Sequence, residues 1–168
     1  NSHYIKVRGK ILLDKDNSGK IWVGGESEFG FLSENKKGTC KYTSLTARFP
    51  EIKGQITSLC VLNDKVFFTT PYSLFLCAEN NVSIIRSLKG DAKLIKTNQS
   101  LYIQLRGMGF FQYKNQKISP ISDAKILKDD RIIDIISYNN FLLNRTAKDS
   151  LFYILHKNVL HLTDIGKN

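Results

Sequence analysis

Residues 17–32 read Asn-Ser-Gly-Lys-Ile-Trp-Val-Gly-Gly-Glu-Ser-Glu-Phe-Gly-Phe-Leu. This is a turn, a short apolar strand, a Gly/polar link from Gly24 to Glu28, and a second short strand. Three weaker copies follow: Val66-Phe67-Phe68 with Leu74-Phe75-Leu76, Leu101-Tyr102-Ile103 with Gly109-Phe110-Phe111, and Phe141-Leu142-Leu143 with Leu151-Phe152-Tyr153. A repeat this small cannot bury its own apolar face, so the copies must stack to make a core. That requirement excludes most folds before any single residue is considered.

Further short apolar stretches flank each pair, so every copy holds four candidate strands, A to D. A centres on Leu12, Leu59, Leu94 and Ile135, and B on Trp22, Phe67, Tyr102 and Leu142. C centres on Phe31, Phe75, Phe110 and Phe152, and D on Tyr42, Ile84, Ile118 and Leu160. The B centres are 45, 35 and 40 residues apart and the C centres 44, 35 and 42. The same order four times over predicts an all-β chain, a β-propeller of about four blades with four antiparallel strands each. The turns agree. Asn17-Ser18-Gly19, Asn63-Asp64, Asn98-Gln99-Ser100 and Tyr138-Asn139-Asn140 stand between A and B. Ser33 to Gly38, Glu79-Asn80-Asn81, Lys114-Asn115-Gln116 and Lys157-Asn158 stand between C and D. Asn, Asp and Gly accept the left-handed backbone that tight hairpins need. The stretch 124–136 could form a helical turn, but it reads better as an interblade link entering strand A. The expectation is one domain, 1–168, with blades at 1–48, 49–88, 89–131 and 132–168. An open half-ring would expose apolar sheet faces and unpaired edges. The four blades are therefore expected to be part of a larger ring, completed by self-association or by the remaining blades of a parent chain.

The 168 residues, 42% apolar and 11% aromatic, suffice for a sizeable core and exclude a disordered chain. No run approaches the roughly 18 apolar residues of a membrane helix, so this segment is not expected to insert into a membrane. No signal peptide is visible, and the first residue is Asn1 rather than Met, so a processed or recombinant form is expected. The net charge of +10 divides into +4 for residues 1–48, 0 for 49–88, +5 for 89–131 and +1 for 132–168. Nucleic-acid modules concentrate such charge on one face. Here it is spread, with no polybasic tail, so a solvated basic surface is expected and nucleic acid is not. A site for an acidic ligand, such as an anionic glycan, is the next reading. Cys40, Cys60 and Cys77 make an odd count with no C-x-x-C spacing, which excludes a zinc ribbon. Cys60 on an A strand and Cys77 on a C strand are two strand spacings apart, too far for a disulfide, so buried free thiols are expected.

The segment Gly19-Lys20-Ile21-Trp22-Val23-Gly24-Gly25 with Glu28-Phe29-Gly30-Phe31 resembles the two-component regulator propeller repeat. So does the third copy, Leu101-Tyr102-Ile103-Gln104-Leu105-Arg106-Gly107-Met108-Gly109-Phe110-Phe111. With Asp130-Arg131-Ile132, these look like the sensor region of Bacteroidetes-type regulators that carry such propellers before a triple-tyrosine module. The second copy departs from the pattern, with Thr70-Pro71-Tyr72 where the family usually has a Gly-containing link. The resemblance implies a periplasmic, non-enzymatic sensor segment feeding a kinase or transcription regulator, often tied to glycan use. It does not imply a particular ligand.

Asp14-Lys15-Asp16-Asn17-Ser18-Gly19-Lys20-Ile21 fits the first half of a calcium loop, but its twelfth position is Gly25 and Glu26 comes one residue late. An acidic A–B turn accounts for it, and no metal or cofactor is expected. Gly25-Glu26-Ser27-Glu28-Phe29-Gly30 misses the nucleophile elbow for want of Gly two residues after Ser27. Glu26 and Glu28 are expected on one side of a strand-like link without a supporting partner, which supports a glycosidase poorly. His3, His156 and His161 read as surface residues, and the blade aromatics as core. The triplets at Asn81, Asn98 and Asn144 match N-glycosylation sites with low specificity. No catalytic set emerges. The better candidates are geometric, because propeller B–C and D–A links meet on one face around the channel. The B–C links are expected to carry Glu26, Glu28, Tyr72, Arg106, and Arg145 with Asp149. Loops on a rigid scaffold concentrate binding residues, and the two arginines suit a carboxylate or sulfate. An oligosaccharide or other small ligand is the expected partner. A protein-interaction platform and a glycan-processing propeller enzyme are the alternatives.

Overall fold

The computed structural model describes residues 7–34, 38–97, 100–121, 127, 131–138, 141–146, 152–156 and 159–163, with the backbone alone for those between 134 and 152. Among the described residues sixteen strands form four antiparallel sheets of four in sequence order. The first holds β1 (Leu12–Lys15), β2 (Ile21–Gly25), β3 (Glu28–Glu34) and β4 (Cys40–Ser44). The second holds β5 (Ser58–Leu62), β6 (Lys65–Thr69), β7 (Ser73–Ala78) and β8 (Asn81–Ser87). The third holds β9 (Ala92–Lys96), β10 (Leu101–Leu105), β11 (Gly109–Lys114) and β12 (Lys117–Pro120). The fourth holds β13 (Ile132–Tyr138), β14 (Phe141–Thr146), β15 (Phe152–His156) and β16 (Val159–Leu162). Each expected strand centre lies inside its strand. Among the described residues helical backbone is confined to a 3-10 turn, Thr46–Arg48, and to Leu127. Of the stretch 124–136, residues 124–126 and 128–130 lie outside the described residues, and β13 covers its end.

Two compact units divide the chain, Asn1–Leu94 and Ile95–Asn168. In the first, two sheets pack face to face. Trp22, Phe29 and Phe31 of the first sheet meet Val61, Val66, Phe68, Phe75 and Cys77 of the second, with Leu45, Ile52 and Ile56 of the connecting segment filling the gap. Ring stacking runs through this seam: Trp22 to Phe29 at 5.5 Å, Phe29 to Phe68 at 4.1 Å, and Phe68 to Phe75 at 4.8 Å. Each buried aromatic contributes about 1.5–3 kcal/mol by burial and about 0.5–1.5 kcal/mol more where rings stack, so this seam dominates the unit's stability. The Asp14 carboxylate accepts the Val61 N–H at 2.7 Å and ties the two A strands together.

The second unit has its own core of Tyr102, Phe110, Ile121, Leu127, Ile132, Tyr153, Leu155 and Leu160. A buried amide organises it. Gln104 donates from Nε2 to the Leu127 carbonyl at 3.2 Å and accepts the Ile132 N–H on Oε1 at 2.9 Å. One side chain thereby satisfies two backbone groups of the link between consecutive sheets.

The turns obey left-handed chemistry. Asn63 and Asp64 have φ of 50° and 57°, Glu79 and Asn80 50° and 62°, and Asn115 and Gln116 50° and 61°. Each pair closes a two-residue hairpin, between Leu62 and Lys65, Ala78 and Asn81, and Lys114 and Lys117. Two positive φ values in succession are the type I′ arrangement that matches strand twist. The A–B turns at 98–99 and 139–140 and the C–D turn at 157–158 lie outside the described residues.

Cys60 and Cys77 are buried free thiols on β5 and β7, whereas Cys40 is exposed, contrary to the expectation for it. Cys40 begins β4, the outermost strand of its sheet, so no further strand covers it.

Candidate functional site

The first unit gathers its B–C and D–A links together. The link Gly24–Glu28 is shorter than expected: Gly24, Gly25 and Glu28 all belong to the ladder, and only Glu26-Ser27 turns. Ser27, at φ 50°, makes the turn. Its N–H donates to the Gly54 carbonyl at 2.8 Å and its Oγ accepts the Gly54 N–H at 3.0 Å. Glu26 bridges to Gln55, and the Ile56 N–H reaches the Gly25 carbonyl at 3.0 Å. The first B–C link is therefore riveted to the D–A link of residues 51–57. The Ser27 hydroxyl is a structural acceptor in a hairpin, not a nucleophile on an elbow.

The second B–C link repeats the device. Thr70 N–H closes the turn onto the Ser73 carbonyl at 2.9 Å, leaving Pro71 and Tyr72 at the tip. The next D–A link donates to that tip, Leu88 N–H to the Tyr72 carbonyl at 2.7 Å and Gly90 N–H to the Pro71 carbonyl at 3.1 Å. The Tyr72 ring crosses over Gly54, its Cε2 3.5 Å from where a Cβ would stand, and remains 64% exposed. Tyr72 and Glu26 thus share one loop face, held by backbone hydrogen bonds. Exposed Lys53 and Lys89 stand on the two D–A links beside them. Reading only the B–C links missed these lysines; the expectation that D–A links join the same face was the signal for them.

Of the other candidates, Glu28 stands on a strand of the first unit, and Arg106 and Arg145 belong to the second unit. Glu28 lies in β3, half-buried, and its Oε1 accepts the Tyr42 hydroxyl at 2.6 Å. Burial, then the carboxylate beside it, push the Tyr42 phenol far above its ordinary range. Glu26 and Glu28 therefore do not form a pair on a strand-like link, since a turn divides them and Tyr42 engages one. Arg145 is a residue of β14, paired with Asp134 and Phe152, rather than a link residue, because the ladder continues through Thr146. Asp149 lies outside the described residues. Arg106 is exposed in the second unit, in the Arg106-Gly107-Met108 link that Met108 N–H closes onto the Leu105 carbonyl at 3.0 Å.

The acidic A–B turn has its carboxylates engaged. Asp16 Oδ1 accepts Ser18 N–H at 2.9 Å, Ser18 Oγ–H at 2.7 Å and Lys20 N–H at 3.0 Å. Asp16 Oδ2 accepts Trp22 Nε1–H at 2.8 Å. Asp14 Oδ1 accepts the Lys15 N–H at 2.9 Å while its Oδ2 holds Val61. These oxygens bind the turn to the core, and calcium would have to displace those donors. Among the described residues no group of three His, Cys, Asp or Glu could hold a metal ion.

No family model and no curated protein matches this sequence. Among solved structures the chain resembles the selenomethionine-substituted virginiamycin B lyase from Staphylococcus aureus, with 12% identity and a TM-score of 0.64 over 94% of this chain. The chain spans 56% of that chain's length. At this identity the likeness shows the fold alone. With four four-stranded antiparallel sheets, the fold is that of a β-propeller.

Proposed function

We propose that this chain is a non-catalytic, ligand-binding propeller segment of an extracytoplasmic regulator of signalling or transcription. Its ligand, an oligosaccharide or comparable small molecule, binds the loop face of the first unit. The observation that carries this reading is the exposed Tyr72 ring, 64% accessible on a tip held by two D–A hydrogen bonds. A pre-ordered, exposed aromatic is the platform on which a sugar ring stacks at low entropic cost. Glu26 supplies a hydrogen-bond acceptor beside it, and Lys53 and Lys89 suit an acidic substituent. Arg106 is a separate candidate in the second unit. Binding would bias an output module by its differential affinity for two states. The placement in a periplasmic two-component regulator rests on the sequence resemblance in the first and third copies.

A second reading, a propeller lyase or glycan-processing enzyme, is favoured by the name of the virginiamycin B lyase that shares the fold. A panel of neutral and anionic oligosaccharides, read for both binding and products, separates the readings. Binding without product is expected. Product formation favours the enzyme, and silence across the panel favours a protein-interaction platform.

A further inference from the structure

Residues 7–10, just ahead of β1, lie as a strap against the B–C turn of the first sheet. Among the described residues, three hydrogen bonds hold them. The Glu26 N–H donates to the Arg8 carbonyl at 2.9 Å. The Lys10 N–H donates to Gln55 Oε1 at 3.2 Å, and Gln55 Nε2 donates to the Lys10 carbonyl at 2.7 Å. Two of the three therefore pass through one side chain. Glycines make the close fit possible. A Cβ on Gly25 would collide with Val7 Cγ1 and stand 3.0 Å from the Arg8 carbonyl oxygen. A Cβ on Gly9, which takes φ 72°, would collide with Gln55 Oε1 and stand 3.2 Å from Glu26 Cβ. The strap thus rests on the base of the Glu26 side chain.

Gln55 has the form of a latch. A primary amide carries an acceptor and donors side by side, so it pairs with the N–H and C=O of one residue as a neighbouring strand does. Gln55 bridges to Glu26, and bridged residues share a face, which is why its amide reaches past Glu26 to the strap. Its Nε2 also donates to the Ile56 carbonyl at 2.9 Å, a bond that keeps the amide aimed without the strap. The D–A link is fixed in its own right, by Ile56 N–H to the Gly25 carbonyl at 3.0 Å and Ser27 N–H to the Gly54 carbonyl at 2.8 Å. Neither bond involves residues 7–10. The strap itself buries little: Val7 is half-buried, and Arg8, Gly9 and Lys10 are exposed. Exposed backbone bonds with little apolar burial mark a segment that opens at much lower cost than the whole fold.

We infer that residues 7–10 open and close over the Glu26 turn while the sheets stay folded, with Gln55 as the latch. The closed strap adds the Arg8 bond to those of the D–A link and so completes the ordering of that turn. A ligand that uses Glu26 favours the closed state, because the turn is then ordered in advance. That coupling rests on the ligand surface proposed above; the opening itself does not.

Amide hydrogen exchange, followed by NMR on the 168-residue chain without ligand, tests the latch. The Lys10 and Glu26 amides should share one protection factor, roughly tenfold or more below that of Ile56. Gln55→Ala should lower the protection of Glu26 by on the order of tenfold, although the lost side chain does not bond that N–H, and should leave Ile56 unchanged. Lys10 and Glu26 protected as strongly as Ile56 overturn the inference, since the strap then moves only with the sheet. Protection of Glu26 indifferent to Gln55→Ala overturns it as well. If Gln55→Ala does not fold, Gly9→Ala, which drives a methyl into Gln55 Oε1, replaces it with the same two outcomes. Any member of the oligosaccharide panel that binds should raise the protection of Lys10, and a fall or no change there overturns the coupling. Silence across the panel removes the coupling together with the ligand reading and leaves the ligand-free exchange to decide the latch.

Discussion

Asp16 shows how a single side chain sets a local structure. Its carboxylate gathers three donors from the A–B turn and the indole N–H of Trp22, so the turn and the aromatic seam are positioned by the same group. Asp16→Ala should cost about 1–3 kcal/mol in urea denaturation, the cost of leaving these donors unpaired. Burial raises its pKa, but the hydrogen bonds from Ser18, Trp22 and Lys20 outweigh burial and hold the group below 3.8. With the folded value below the unfolded one, the stabilisation is present above about pH 3.8 and is lost as pH falls through the folded value. Circular dichroism across that acid range should show a shallower loss for Asp16→Asn than for the wild type. Equal slopes would contradict this role. The thiols make a second contrast. Burial, opposed by a backbone hydrogen bond at Asn80, pushes the Cys77 thiol up to about 11, whereas Cys40 is exposed. In dilute native protein a disulfide reagent at neutral pH should titrate Cys40 quickly and reach Cys60 and Cys77 only after denaturation. Rapid release of three equivalents would show that the seam is not closed.

Elements follow from turn chemistry and alternation. Glu79 and Gln116 occupy positive φ, 50° and 61°, in turns where Asn or Gly is the lower-energy choice. Glu79→Asn and Gln116→Asn should each stabilise the fold by about 1 kcal/mol, through relief of the left-handed backbone penalty, seen as a higher Tm. A lower Tm would mean that the native side chains hold contacts that offset the strain. The strands themselves were legible, because short apolar runs bounded by Asn, Asp and Gly recur four times. Their edges were not. Gly24 and Gly25 look like link residues, yet both pair in β2. A Cβ on Gly24 would stand 3.0 Å from Ile56 Cγ2, so glycine there serves close packing rather than turning. Arg145 looks like a link residue by its charge, but cross-strand pairing with Asp134 and Phe152 carries β14 past it. The bonds from Ser27 to Gly54 and from Tyr72 to Leu88 join distant positions in different links, which no local pattern contains.

At the scale of the molecule, the proposed ligand surface is the loop face of the first unit, where backbone bonds hold the Tyr72 and Glu26 tips against the D–A links. The most direct measurement of the functional claim sets the wild type and Tyr72→Ala side by side on one panel of neutral and anionic oligosaccharides. Tyr72 is exposed, so the change should leave the thermal transition nearly unmoved. Binding to a subset of the panel by the wild type, with no product and with loss of roughly tenfold or more in the variant, is the expected result, as removal of an aromatic anchor costs more than about 1.4 kcal/mol. Binding that Tyr72→Ala leaves unchanged, or turnover of any panel member, would contradict it.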